Sequence, residues 1–270
     1  MKKDERAIGL FDSGIGGLTV LKHLIGAFPN ESFVYLGDTA RLPYGTKSAE
    51  TIERYLVQNV RYLLSRDVKA IVVACNSAST ILLKKELDFG LPIYNVIEPG
   101  AQAALQASFN RRIGVLGTRA TVQAEAYVNA LKKIAPDVFV VQQACSLLVP
   151  LVEEGWEDDP LTNLVIHRYV HPVLEHGIDT LILGCTHYPV LFNGLRRVVG
   201  PHINLIDSPV AVAARLAMDF ESGVLGVSSA RKPLQLLITD ASPSFAEVAA
   251  RLMRPYEIPA LERVDISSFS

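Results

Sequence analysis

The sequence predicts an α/β protein of two similar domains, each a mainly parallel sheet flanked by helices, with the active site in the cleft between them. Three observations carry this. Short apolar runs alternate with amphipathic stretches, which calls for parallel βαβ units with right-handed crossovers. The pattern then restarts near residue 112, so that AIGLFDSGIGG at 7–17 and RIGVLGTRATV at 112–122 hold equivalent places. Two further stretches read alike: residues 71–80 (IVVACNSAST) and 181–191 (LILGCTHYPVL) each run from an apolar strand into a cysteine and then small polar residues. Asp12 precedes Cys75 by almost the distance that separates Thr118 from Cys185, as a duplication would leave it. The first domain is expected over 1–97 plus 208–270 and the second over 98–207.

Taken in order, residues 7–11 (AIGLF) form the first strand. It runs into the turn Asp12-Ser13-Gly14-Ile15-Gly16-Gly17, and a helix follows over 18–28. The glycines allow a tight turn and close approach of backbone to a ligand. Their spacing is GxGG rather than the GxGxxG of dinucleotide sites. Residues 32–36 are the second strand, and 37–45 (GDTARLPYG) is a turn-rich loop. A helix over 48–66 has Ser48 as N-cap and Glu50 in its first turn. The strand at 70–74 is apolar throughout, as for one buried on both faces. Helix 81–87 and strand 93–97 follow, the latter ending at Glu98-Pro99-Gly100. The second half gives a strand at 113–116, a helix over 121–134 and a strand at 138–142. Helices over 146–155 and 159–176, a strand at 180–183, another helix and a strand at 203–206 follow. The tail adds a helix over 210–220, a strand at 234–239, a helix over 245–252 and a strand at 263–266.

Hydrophobic residues make up 49% of the 270, enough for a sizeable core, and the net charge is −2. With no basic excess the chain is not expected to bind nucleic acid. Asp4, Glu5 and Arg6 interrupt any signal peptide, and no apolar run approaches the ~18 residues of a membrane span. A cytoplasmic protein without membrane contact is expected. The cysteines number three, Cys75, Cys145 and Cys185, which fits a reducing compartment rather than a disulfide framework. No CxxC pair occurs, so a zinc site is not expected.

Both cysteines lie where a buried parallel strand runs out, the edge at which open α/β sheets bind ligands. Two thiols on opposite walls of a cleft suit inversion of a carbon acid: one takes the proton, the other returns one to the opposite face. Free Cys titrates near ~8.5, so a modest push populates the thiolate. Helix N-termini and a neighbouring acid or base can supply it. Asp12, on a strand expected beside that of Cys75, and His187, two residues from Cys185, are the candidates. A lone cysteine is ordinarily a small core hydrophobe, and Cys145, which has no partner motif, is read so. Asp12 could merely cap the first helix, but its position favours a role in the site. His167, His171 and His176 are read as partly exposed helix residues.

The motifs DSGIGGLTV, GDTARLPYG, ACNSAST, IGVLGTRATV, PLVEEG and GCTHYPVL, in that order over nearly the whole chain, resemble those of the glutamate racemases of the aspartate/glutamate racemase superfamily. The resemblance implies a cofactor-independent isomerase that interconverts L- and D-glutamate, supplies D-glutamate for peptidoglycan and forms a homodimer. It implies that Cys75 takes the α-proton from D-glutamate, assisted by Asp12. Cys185 would take it from L-glutamate, assisted by His187 and a glutamate of PLVEEG, Glu153 in preference to Glu154. Substrate-binding positions would be Asp12, Ser13, Tyr44, Gly45, Asn76, Ser77, Thr186 and His187, with Thr118 and Thr121 as further candidates. Position 77 is Ser where the family often has Thr, which keeps the hydroxyl and loses a methyl. No lysine stands at an expected strand end for a pyridoxal Schiff base, and no metal cage is evident. Some relatives carry an N-terminal extension linked to activation by a cell-wall precursor, and no such activation is expected here. The rivals are a racemase for aspartate or another carbon acid, a hydrolase using Cys185 and His187, and a non-catalytic ligand- or partner-binding protein.

Overall fold

The computed structural model describes residues 2–85, 87–241 and 243–269. It contains two mainly parallel sheets flanked by helices. In the first part of the chain come β1 (Ile8–Asp12), α1 (Leu18–Ala27), β2 (Phe33–Gly37), α2 (Ala49–Leu64), β3 (Ala70–Val73), α3 (Asn76–Lys84), β4 (Ile93–Asn95) and α4 (Ile97–Ala107). There follow β5 (Arg112–Gly117), α5 (Arg119–Gln123), α6 (Ala126–Ile134), β6 (Phe139–Ala144), α7 (Leu148–Glu153), α8 (Pro160–Leu174), β7 (Thr180–Gly184), α9 (Phe192–Val199) and β8 (Asn204–Asp207). The chain ends with α10 (Ser208–Glu221), β9 (Gln235–Ile238), α11 (Pro243–Met253) and β10 (Leu261–Arg263).

The sheets have the orders β10-β9-β2-β1-β3-β4 and β6-β5-β7-β8. Within the first, the run β2-β1-β3-β4 repeats the connectivity of the second, and every pairing is parallel. Cys75 therefore follows β3 as Cys185 follows β7. The tail returns β9 and β10 to the first sheet.

Each sheet is buried on both faces. Along β1 and β3, Ile8, Leu10, Ala70 and Val72 enter one core while Phe11, Ile71 and Val73 enter the other. Along β5 and β7, Leu116, Leu181 and Leu183 face one layer and Ile113, Val115 and Ile182 the opposite one. This is the period-two alternation of a strand, with apolar residues at both phases because helices cover both sides. Full burial of each such side chain is worth roughly 1.5–3 kcal/mol. The caps match the sequence where the chemistry is local: Ser48 accepts from the Thr51 N–H, and Asp159 from that of Leu161.

Four elements depart from expectation. The helix placed over 81–87 is α3, which begins at Asn76: the small polar residues after Cys75 are its first turn rather than a loop. Strand 93–97 stops at Asn95, whose side chain accepts from the N–H groups of Ile97 and Glu98 and so opens α4, a helix the sequence did not announce. Pro99 and Gly100 read as breakers, yet a proline in a first helical turn gives up only an N–H that lacks an intrahelical partner. The stretch 121–134 is two helices, divided at Glu125 with φ 50°. No glycine or proline marks that break. The last strand lies at Leu261–Arg263 rather than 263–266.

Candidate active site

The carboxyl ends of β1, β3, β5 and β7 face a cavity of about 340 Å³, lined by residues of the loops and helices that follow these strands and of those after β2 and β6. Cys75 and Cys185 both line it, as do Ser13, Tyr44, Gly45, Asn76, Ser77, Thr118, Glu153, Thr186 and His187. A larger hollow of about 630 Å³ beside α1 and α11 contains neither cysteine, so size does not mark the reactive site. Each of the two cysteines is buried, with 5% of the residue exposed. No lysine or arginine lines the cavity. What it offers an anion is hydroxyls, amides and backbone N–H groups.

On one side, Cys75 is the N-cap of α3. Burial and the nearby Asp12 carboxylate push its thiol up to about 12, while the Ala78 N–H and the Ser13 side chain work in the opposite sense. Asp12 is wholly buried at the end of β1, which pairs with β3. Its Oδ2 accepts from the N–H groups of Gly14 (3.2 Å) and Gly17 (3.1 Å), and its Oδ1 faces the Thr186 hydroxyl at 3.4 Å. Burial raises its pKa against the pull of His187 and those N–H groups. Asp12 thus stands behind the cavity wall, within electrostatic reach of Cys75, its oxygens engaged by the turn.

On the other side, Cys185 Sγ lies 3.8 Å from His187 Nδ1, and His187 Nε2 donates to Glu153 Oε1 at 3.1 Å. Burial disfavours the imidazolium, but the contacts with Cys185 and Glu153 outweigh it and push His187 up to about 10. Glu153, the last residue of α7, is the member of the Glu153-Glu154 pair that meets the histidine; Glu154 is exposed.

The glycine turn after β1 is fixed by close approach. A Cβ on Gly16 would fall 2.4 Å from Thr186 Oγ1 and 2.5 Å from His187 Nδ1, and one on Gly17 2.5 Å from the Asp12 Cβ. Two polar links tie the halves together: Thr19 Oγ1 donates to the Thr186 carbonyl (3.0 Å), and the hydroxyls of Ser77, Thr118 and Thr121 form a chain with steps of 2.9 and 3.0 Å.

Most of the expected residues come together, with three exceptions, the first being Asp12, which is buried behind the wall and does not line the cavity. Thr121 is buried outside the lining and reaches the cavity only through Thr118. Tyr44 lines it, but its hydroxyl is bonded to Asp38 and Asn59, which leaves its ring and backbone toward the cavity. Gly14, Leu42, Pro43, Thr46, Ser146, Val149 and Pro150 also line the cavity and were not singled out. Several sit inside the quoted motifs, but nothing in an apolar or small side chain distinguishes a cavity wall from a core. Among the described residues no three His, Cys, Asp or Glu side chains are grouped to hold a metal ion, and no helix is long and apolar enough to cross a membrane.

The profile of the Asp/Glu/Hydantoin racemase family matches residues 19–217. The chain belongs to this family. Within it, the racemase chain is 43% identical over 250 residues to the glutamate racemase of Geobacter metallireducens, covering 92% of this chain and 93% of the relative. It is 43% identical over 263 residues to that of a Sulfurihydrogenibium species, covering 97% and 99%. Among solved structures it is similar to glutamate racemase isoform RacE1 of Bacillus anthracis, with a TM-score of 0.91 and 35% identity over 96% of this chain and 97% of that one. The Francisella tularensis glutamate racemase in complex with D-glutamate superposes with a TM-score of 0.89 at 34% identity, over 98% and 99%.

Proposed function

We propose that this chain interconverts L- and D-glutamate without a cofactor, by proton transfer between two cysteines, and supplies D-glutamate for peptidoglycan. The observation that carries it is the pair Cys75 and Cys185, set at equivalent points of two like-ordered sheets and lining one cavity. The names of the relatives favour glutamate over other carbon acids.

One thiolate removes the α-proton and the other thiol then delivers a proton to the opposite face of the carbanion, so the two sulfurs exchange protonation states in each turnover. Cys75, pushed up by burial, rests as the thiol. Cys185 faces His187, which Glu153 holds from its other side. In the direction from L-glutamate, Cys185 takes the proton and Cys75 returns one. Asn76 Nδ2 is buried with no hydrogen-bond partner and belongs to a cavity-lining side chain. An unpaired buried donor is costly, and a substrate carboxylate would satisfy it. Ser13, Ser77, Thr118 and Thr186 would add hydroxyls, with the N-terminus of α3 beside them. A dry cavity strengthens each of these interactions on the developing carbanion.

We further propose that 1–97 with 208–270 form one domain and 98–207 the other, that the active species is a homodimer, and that it works in the cytoplasm. Incubating the protein with L-glutamate and, separately, L-aspartate, and following optical rotation, tests the substrate. Loss of rotation with glutamate only is expected; loss with aspartate only would overturn the assignment.

A further inference from the structure

Arg251 lies in the last turn of α11, far along the chain from both cysteines. Its neighbours Ala249, Leu252 and Met253 are buried in the core on one face of the first sheet, so its base is fixed. From there the guanidinium reaches the end of α7. Nη2 donates to the Val152 carbonyl at 2.9 Å, and Nε lies 3.4 Å from Glu157 Oε1. Between these contacts is Gly155, at φ +76°, where a Cβ would sit 2.1 Å from Arg251 Nη1. The guanidinium is laid on bare backbone, and only glycine leaves room for it. Val152 is at the C-terminal end of α7, where the helix dipole favours a cation, and its carbonyl accepts from the Gly155 N–H at 3.1 Å as well as from Arg251. The next residue is Glu153, whose carboxylate holds His187.

We propose that Arg251 is a positioning residue for proton transfer at Cys185: it clamps the end of α7 between the Val152 carbonyl and Glu157, and so fixes Glu153 against His187. This rests on the two-cysteine racemase reading. Its effect is one-sided, because the Cys75 side is supported by different groups, Ser13 and the Ala78 N–H.

Enantiomers have equal free energy, so any variant loses kcat/KM alike in both directions, and α-deuterium isotope effects are what separate the two sulfurs. With Cys185 serving L-glutamate, Arg251→Ala should lower kcat/KM by about 10–100-fold, as small misplacements of catalytic groups do. It should raise the isotope effect on α-deuterated L-glutamate and lower that on α-deuterated D-glutamate. Arg251→Lys should recover part of the loss, and Glu157→Gln should shift the isotope effects the same way to a smaller extent. Isotope effects unchanged for both enantiomers in Arg251→Ala would overturn the proposal whatever the rate. Should that variant not fold, the same comparison on Arg251→Lys and Glu157→Gln decides. Wild-type protein that exchanges no α-hydrogen of glutamate would overturn the racemase reading as well, whereas an active wild type with indifferent variants overturns the clamp alone.

Discussion

His187 binds its proton more tightly in the folded protein than in the unfolded chain, because its contacts with Cys185 and Glu153 outweigh burial and raise it from 6.5 to about 10. A raised basic group stabilises the fold fully below its unfolded value and loses that contribution as pH rises through its folded one. Stability should therefore fall between pH 6.5 and 10. Cys75, raised from 9.0 to about 12, adds a fall of the same sign at the alkaline end. Denaturant unfolding across this window should show a steeper decline for wild type than for His187→Gln; equal slopes would mean that the histidine is not held charged. The exposed Glu154 and the engaged Glu153 give a second contrast. Glu153→Gln should lower kcat by about 100-fold, the low end of the range for acid–base assistance, while Glu154→Gln should leave steady-state racemisation within error. The two cysteines that line the cavity were legible because Cys75 and Cys185 sit in matching motifs. The partners of Asp12 were not. They are backbone N–H groups five residues away or fewer and a hydroxyl from the other half of the chain, and no spacing rule reports a turn's three-dimensional path.

At the scale of elements, the turn between β1 and α1 packs its backbone against Thr186 and His187 of the cavity wall. Gly16→Ala should destabilise the protein by about 1–3 kcal/mol, as overpacking a close contact does, and should reduce racemisation by displacing Thr186 and His187. Chemical denaturation and initial rates check the two effects, and an unperturbed variant would show that the contact yields freely. Ser48→Ala, at the cap of α2 and outside the cavity lining, should cost about 1 kcal/mol with kcat unchanged, as a melting curve and an activity assay would report. Element type was readable from periodicity, and Ser48 and Asp159 announced their helices. The start of α3, the whole of α4 and the break at Glu125 were not. In α4 a local cap, Asn95, lay hidden behind the apparent breakers Pro99 and Gly100, and Gly100 is accommodated by packing against the ring of Tyr127.

At the scale of the molecule, two sheets of like connectivity face one cavity and are joined across it by the Ser77–Thr118–Thr121 hydroxyls and the Thr19–Thr186 bond. Glutamate bound between them should draw the halves together and exclude water. Small-angle scattering should then give a smaller radius of gyration with substrate, and hydrogen exchange should slow in the segments after β3 and β5; no change in either would argue against closure. The duplicated order was legible because the strand–turn motifs recur, whereas the distances across the cavity come only from the packing of one half on the other. The most direct test is proton transfer itself. In deuterium oxide, wild-type protein should convert L-glutamate to D-glutamate carrying deuterium at the α-carbon, while substrate recovered early keeps its hydrogen. Cys75→Ser and Cys185→Ser should each abolish that conversion. Full turnover in either serine variant, or D-glutamate that retains the original hydrogen, would contradict a reaction carried by two cysteines.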